Sequence, residues 1–346
     1  MDRLFGQPRL YFCLAIALLI FYIVFLFQNE LKNPENGRHL NRYRGKGRQK
    51  NDEGERPIDS SISSVVERPS KPKPPPLARC TPSKRPDIKK VQRASNDSFD
   101  GITDPKVLVE IFRSFKLDTK LNGSPLKLRE PEKDPWLQSN QRQAGVVDKL
   151  LKEKTKGFFI EAGALDGEFY SNTLALEVVR NWTGLLVEPD PNPYRALMHA
   201  NRNAFTTSSC LAVSDSLEMR KFLSSQVMGW SALAGMTKHQ DIQLNQEVTV
   251  SCFPLSVMLD AINQTRVDYF SLDIEGPELE ILQSIPFDRI HFSVFTIETT
   301  GTSRQAVVDY MATQCFDVVA AGLTEDLVLM NRNDRIDLGY DPDWPF

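Results

Sequence analysis

Phe158–Ser171 reads FFIEAGALDGEFYS. An apolar run closes on Glu161, a turn carries Gly163, Asp166 and Gly167, and a new element opens after Tyr170. A buried strand, a glycine turn and a helix N-terminus produce that order, and the glycines let backbone approach a ligand closely. The next apolar run, Gly184–Val187, ends in Glu188, 21 residues after Gly167. An acid at that strand tip can take both hydroxyls of a ribose in a bidentate hydrogen bond. The spacing is E-x-G-x-x-x-G, not G-x-G-x-x-G, which suits a nucleoside with a small tail better than a dinucleotide.

A third stretch, Tyr269–Leu282 (YFSLDIEGPELEIL), repeats the pattern: Asp273 and Glu275 follow an apolar strand, and Gly276-Pro277 opens a helix. Carboxylates at strand C-termini would face the crevice shared with Glu161 and Glu188. Negative charge at a helix N-terminus accounts for Glu278, but not for Asp273, which follows four largely apolar residues. Glu298 closes the next strand in the same way.

Working outward, strands are expected near Ser209–Val213, Glu247–Phe253, Val267–Leu272, Phe292–Ile297, Phe316–Val319 and Asp326–Met330. Helices are expected at Gln143–Lys154, Ser171–Arg180, Pro193–Asn203, Pro277–Ser284 and Ser303–Thr313. Asp104-Pro105 caps a further helix whose apolar face would carry Val107, Leu108, Ile111, Phe112 and Phe115. Strand–helix alternation predicts an α/β domain with a mainly parallel sheet covered on both faces. The last two strands lack an intervening helix, so they read as a hairpin that puts an antiparallel strand at one edge.

The 346 residues carry 42 basic and 45 acidic side chains, unevenly distributed. Residues 10–27 (LYFCLAIALLIFYIVFLF) hold no charge; residues 28–100 hold 17 Lys/Arg, 10 Asp/Glu and nine of the 22 prolines; residues 101–346 have a net charge of −11. This excludes a wholly soluble chain, a multi-span transporter, a disulfide miniprotein and a repeat array. An acidic folded part also argues against nucleic acid as partner. The organisation expected is an N-terminal tail (1–9), a transmembrane signal anchor (10–27), a disordered basic and Pro-rich stem (28–103) and a folded domain (104–346).

Orientation is contested within the sequence. Lys32, Arg38, Arg42, Arg44 and Lys46 outnumber Arg3 and Arg9, which by charge alone would keep the domain in the cytosol. Sequons at Asn96, Asn122, Asn181 and Asn263 oppose this, and Asn181 and Asn263 fall in loops just before strands. A type II arrangement with a lumenal C-terminal domain is the expectation, in the endoplasmic reticulum or Golgi, extending to endosome or plasma membrane. Cys80, Cys210, Cys252 and Cys315 permit three pairings in an oxidising compartment; otherwise Cys210, Cys252 and Cys315 read as small buried hydrophobes. His39, His199, His239 and His291 show no ligand spacing, so no metal site is expected.

FIEAGALDGEFYSNT, LLVEPDP and SLDIEGPELEIL, in this order, resemble FkbM-type methyltransferases over about residues 140–331. The resemblance implies a Rossmann-like class I methyltransferase fold with a seven-stranded sheet, and S-adenosylmethionine as cofactor. It implies Glu161, Gly163 and Gly167, with Asp166 in the same turn, along the cofactor's methionine portion, and Glu188 at its ribose. Asp273 and Glu275 would face the methyl group and a hydroxyl acceptor, either a small molecule or a glycan. Relatives often carry Lys two residues before that Asp; here it is Ser271. Anchor, stem and domain together also resemble the insect Star-like membrane proteins, which implies a non-catalytic escort for membrane-tethered, epidermal growth factor-type ligands. A Golgi glycosyltransferase is a third reading, and Asp341-Pro-Asp343 is its only Asp-x-Asp sequence.

Overall fold

The computed structural model describes residues 77–86, 100–119, 125–139, 142–225, 232–233, 244–320 and 326–341. All of them fall in one compact unit, Lys71–Phe346. The expected membrane anchor, most of the stem, Asn96, Asn122 and Asp343 lie outside the described residues. Among the described residues no helix is long and apolar enough to cross a membrane.

The chain runs α1 (Pro105–Phe115), β1 (Leu117–Asp118), α2 (Pro135–Gln138), α3 (Gln143–Leu150), β2 (Phe158–Ala162), α4 (Leu174–Arg180) and β3 (Thr183–Val187). It continues through α5 (Pro191–Ala200), β4 (Phe205–Thr207), β5 (Cys210–Leu211), β6 (Glu218–Ser225), β7 (Ala232–Leu233) and β8 (Leu244–Phe253). Last come α6 (Leu255–Ala261), β9 (Arg266–Leu272), α7 (Glu278–Ser284), β10 (His291–Glu298), α8 (Arg304–Thr313), β11 (Phe316–Ala320), β12 (Asp326–Asn331) and α9 (Arg332–Asp337). The main sheet has the order β1-β4-β3-β2-β9-β10-β12-β11. Strands β4, β3, β2, β9 and β10 are mutually parallel.

Two expectations are corrected. The sheet has eight strands, not seven, because Leu117–Asp118 adds an antiparallel edge beside β4. The antiparallel strand of the final hairpin is not at the edge either. β12 inserts between β10 and β11, antiparallel to both, and all six of its residues are buried. An edge strand would expose that apolar run to water; one place inward covers it on both sides.

The strands between helix layers are apolar on both faces. Every residue of β2 is buried, and one core packs on each side of the sheet. Helix α1 starts as expected, with the Asp104 carboxylate accepting from the Lys106 and Val107 N–H groups at 2.9 and 3.3 Å. Leu108 and Phe112 are its buried residues, and the Phe112 ring meets Phe253 edge-on. Val107 and Phe115, expected on that face, are exposed.

A second sheet, β5-β8-β6-β7, was not anticipated. In its strand β6 (EMRKFLSS), Glu218 and Arg220 are both buried and lie 3.5 Å apart as an ion pair. Order also begins earlier than residue 104. Cys80 is bonded to Cys315, the Ser83 N–H donates to the Thr313 carbonyl at 3.0 Å, and Cys80 and Asn333 exchange two hydrogen bonds. Cys210 and Cys252 pair across β5 and β8. The small-hydrophobe reading of Cys210, Cys252 and Cys315 is therefore replaced by two disulfides.

Candidate active site

The chain leaves β2 toward β3 and β4, then returns on the other side through β9 and β10. This reversal is a topological switch point, where open α/β sheets characteristically hold ligands in a crevice above the C-terminal strand ends, here those of β2 and β9. Backbone hydrogen bonds lock the strand ends around it. Gly163 N–H donates to the Val187 carbonyl at 3.0 Å, Asp273 N–H to Ala162 at 3.1 Å, and Glu188 N–H to Thr207 at 3.1 Å. Gly163 and Gly167 have φ of +86° and +78°, the left-handed region that a glycine enters without strain. The turn thus brings Gly163, Glu188 and Asp273 together.

Glu161 is placed differently. Its buried carboxylate accepts from Ser171 Oγ at 2.8 Å, Asn172 N at 2.6 Å and Thr173 Oγ1 at 2.6 Å. Behind these groups the fully buried Arg202 guanidinium binds Ser171 Oγ, Thr173 Oγ1, the Gly167 carbonyl and the Glu177 carboxylate. Burial raises the Glu161 pKa, opposed by Arg202 and these hydrogen bonds. Glu161 therefore shapes the glycine turn from within rather than lining the crevice. The same bonds explain why α4 starts at Leu174 and not at Ser171: residues 171–173 turn their polar groups to Glu161 first.

Asp166 is buried in the turn. It accepts from the Glu168 and Phe169 N–H groups at 3.0 and 2.8 Å, and Arg129 pairs with its other oxygen. The backbone N–H groups of Arg129 and Glu130 in turn donate to the Glu168 carboxylate at 2.6 and 2.7 Å. Residues 129–130 are thereby strapped across the turn.

Glu188 is buried at the tip of β3. One carboxylate oxygen accepts from Leu165 N at 2.9 Å, the other from Asp190 N at 2.8 Å. Burial pushes its pKa up to about 8, and the neighbouring Asp190 and Asp166 charges add to that. When the carboxyl is ionised, each oxygen retains a lone pair, so the group can take two further donors on adjacent atoms. A vicinal diol, such as that of a ribose, carries two such donors, so the residue fits the nucleoside end of S-adenosylmethionine.

Asp273 is half-buried, and its pKa is raised well above the usual carboxylate value, first by burial, then by Glu298, Glu275, Asp326 and Glu278. Glu275, with φ of +61°, holds a left-handed conformation uncommon outside glycine. The loop between them is pinned by Glu278, whose carboxylate accepts from Gly276 N at 2.9 Å and Thr302 Oγ1 at 2.9 Å. So Glu278 is a loop anchor, more than a helix-terminus charge. Ser271 lies in register with Glu161 and Thr296 and accepts from Asn172 Nδ2 at 3.0 Å. It joins the polar layer beneath the crevice.

Sequence reasoning missed Ser171, Asn172, Thr173, Glu177 and Arg202. The S-N-T run directly after the glycine turn was the available signal, because three side-chain donors at a strand–helix junction need a buried acceptor. Arg202 gave none, since only the fold brings it under Glu161.

Residues 161–318, somewhat under half of the chain, match the Methyltransferase FkbM domain. No curated protein matches the chain. Among solved structures, methyltransferase FkbM from Methylobacillus flagellatus KT is similar at a TM-score of 0.33 with 12% identity, over 51% of this chain and 43% of that one. The chain thus spans less than half the length of that protein. The 1,6-didemethyltoxoflavin-N1-methyltransferase of Burkholderia thailandensis, with S-adenosylhomocysteine bound, has a TM-score of 0.30 and 10% identity, over 63% of this chain and 94% of that one. A fibrillarin/Nop5p complex has a TM-score of 0.32 and 13% identity, over 57% of this chain and 82% of that one. The fold is α/β with a large mixed sheet.

Proposed function

We propose that the domain binds S-adenosylmethionine in the crevice between β2 and β9 and directs methyl transfer to a hydroxyl of a small molecule or glycan. The observation that carries this reading is the pair of desolvated carboxyls, Glu188 and Asp273, on strand tips either side of the Gly163 turn. Bound there, the cofactor would supply a methyl group already activated by its sulfonium. Glu188 would hold the ribose hydroxyls, and the Gly163–Gly167 turn would lie along the methionine portion.

Asp273 would accept the acceptor's hydroxyl proton. An ordinary carboxylate is a weak base for an alcohol, but burial among four other acids makes this one stronger. Glu275 would orient the acceptor from the same loop. Titration calorimetry of the purified full chain with S-adenosylmethionine, followed by methylation of a hydroxyl-compound panel, tests the reading. No heat of binding at millimolar cofactor would end it.

A second reading is favoured by the disulfides. Paired Cys80–Cys315 and Cys210–Cys252 suit an oxidising compartment, away from the cytosol where S-adenosylmethionine is made. A membrane-anchored escort that keeps the fold and holds a membrane-tethered cargo ligand fits that placement. Cargo association that survives Glu188→Gln while no cofactor binds would select the escort.

A further inference from the structure

We infer that Asn181 and Asn263 carry N-linked glycans at the pole of the domain opposite the crevice. Asn181-Trp-Thr and Asn263-Gln-Thr are both sequons. Asn181 caps α4 with φ of +57° just before β3, and Asn263 turns with φ of +55° just before β9. Both asparagines are exposed, as are Thr183 and Thr265, the hydroxyl residues of the two sequons. Their backbone N–H groups close the preceding turns, donating to Glu177 and Asp260 at 3.1 and 3.2 Å. Asparagine is among the few residues that sit readily in this left-handed geometry, so the fold holds both side chains at tight, outward corners.

β3 and β9 are parallel members of one sheet, so residues preceding them lie at its N-terminal pole. Cys315 immediately precedes β11, which also starts at that pole because β12 runs antiparallel to both β10 and β11. Glycans at Asn181 and Asn263 would therefore share a pole with the Cys80–Cys315 attachment and leave the crevice mouth clear. The two disulfides supply the independent observation: the compartment that forms them is also the one that adds such glycans. The donor class is a lipid pyrophosphate-linked oligosaccharide, supplied by the host membrane. The Asn amide nitrogen forms a bond to the anomeric carbon and gives up one proton. The sugar–oxygen bond breaks, and the lipid pyrophosphate leaves with its electron pair.

The test uses the full chain expressed in eukaryotic cells, with and without peptide N-glycosidase, beside Asn181→Asp and Asn263→Asp. Aspartate tolerates the left-handed corner, and Thr265→Ala removes the second sequon while leaving Asn263 in place. Each variant should lose one glycan increment in gel mobility relative to wild type, and Thr183→Ser, which keeps its sequon, should lose none. A full chain whose mobility the glycosidase does not change would overturn the inference. A variant that migrates with wild type would overturn the assignment of its site.

Discussion

A Cβ placed on Gly163 would fall on the carbonyl oxygen of Asp273. The end of β2 therefore touches the end of β9 backbone to backbone, and the candidate base is positioned by a residue with no side chain. Gly163→Ala should push the two loops apart, with added strain at φ +86°. A loss of at least about 2 kcal/mol in denaturant unfolding is expected, together with loss of cofactor binding. An alanine variant as stable as wild type would contradict the close approach.

Glu188 predicts a pH dependence. Its folded pKa, about 8, lies above the ordinary glutamate value of 4.5, so the folded state holds the proton more tightly than the unfolded one. Stability should be greatest below about 4.5 on this account and fall as pH rises toward 8. The component is of order 3 kcal/mol by pH 7. Glu188→Gln should lack it, so the difference in unfolding free energy between variant and wild type should change by that amount across the same pH range.

Cofactor affinity should run the other way. Ribose hydroxyls donate best to the ionised carboxylate, so wild-type affinity should climb between pH 6 and 8, by up to about tenfold per unit. Calorimetry across that range, with Glu188→Gln as the flat control, checks it.

Asp273→Asn removes the base and leaves the ribose pocket intact. Methyl transfer should fall by roughly 10²–10⁴-fold while S-adenosylmethionine binding changes little. The wild-type rate should drop on acidification with a midpoint above the ordinary aspartate range. Equal losses in binding and turnover would instead mark Asp273 as structural.

Arg202→Met leaves Glu161 and Glu177 buried without their cation. A destabilisation of about 3–5 kcal/mol follows. Chemical denaturation measures it, and raised hydrogen exchange around residues 171–174 should accompany it.

Cys315→Ser opens a covalent closure spanning 235 residues. About 2–5 kcal/mol of stability should go with it. Mild reduction of wild type should reproduce the loss, and Cys315→Ser should then respond only through Cys210–Cys252.

The parallel core was legible because its strands are short apolar runs ending in an acid or a glycine turn, and β2, β3 and β9 begin and end within a residue or two of expectation. The eighth strand and the second sheet were not. Leu117–Asp118 is too short to carry a period, and β6 hides buried charges that pair only after folding. That Glu188 and Asp273 stand just after strand ends could be read from the sequence. Glu161 occupies an equivalent position, yet its direction depends on Ser171, Asn172, Thr173 and Arg202.

By itself the sequence determined the parallel core strands and which acids stand at their tips, because periodicity and turn chemistry are local. Tertiary structure decided which donors each acid meets, where β12 inserts, and which cysteines pair. Those outcomes depend on donors and acceptors distant in the chain, whose pairing has no local signature. Burial then raises the pKa of Glu188 and Asp273, and only the folded chain supplies it.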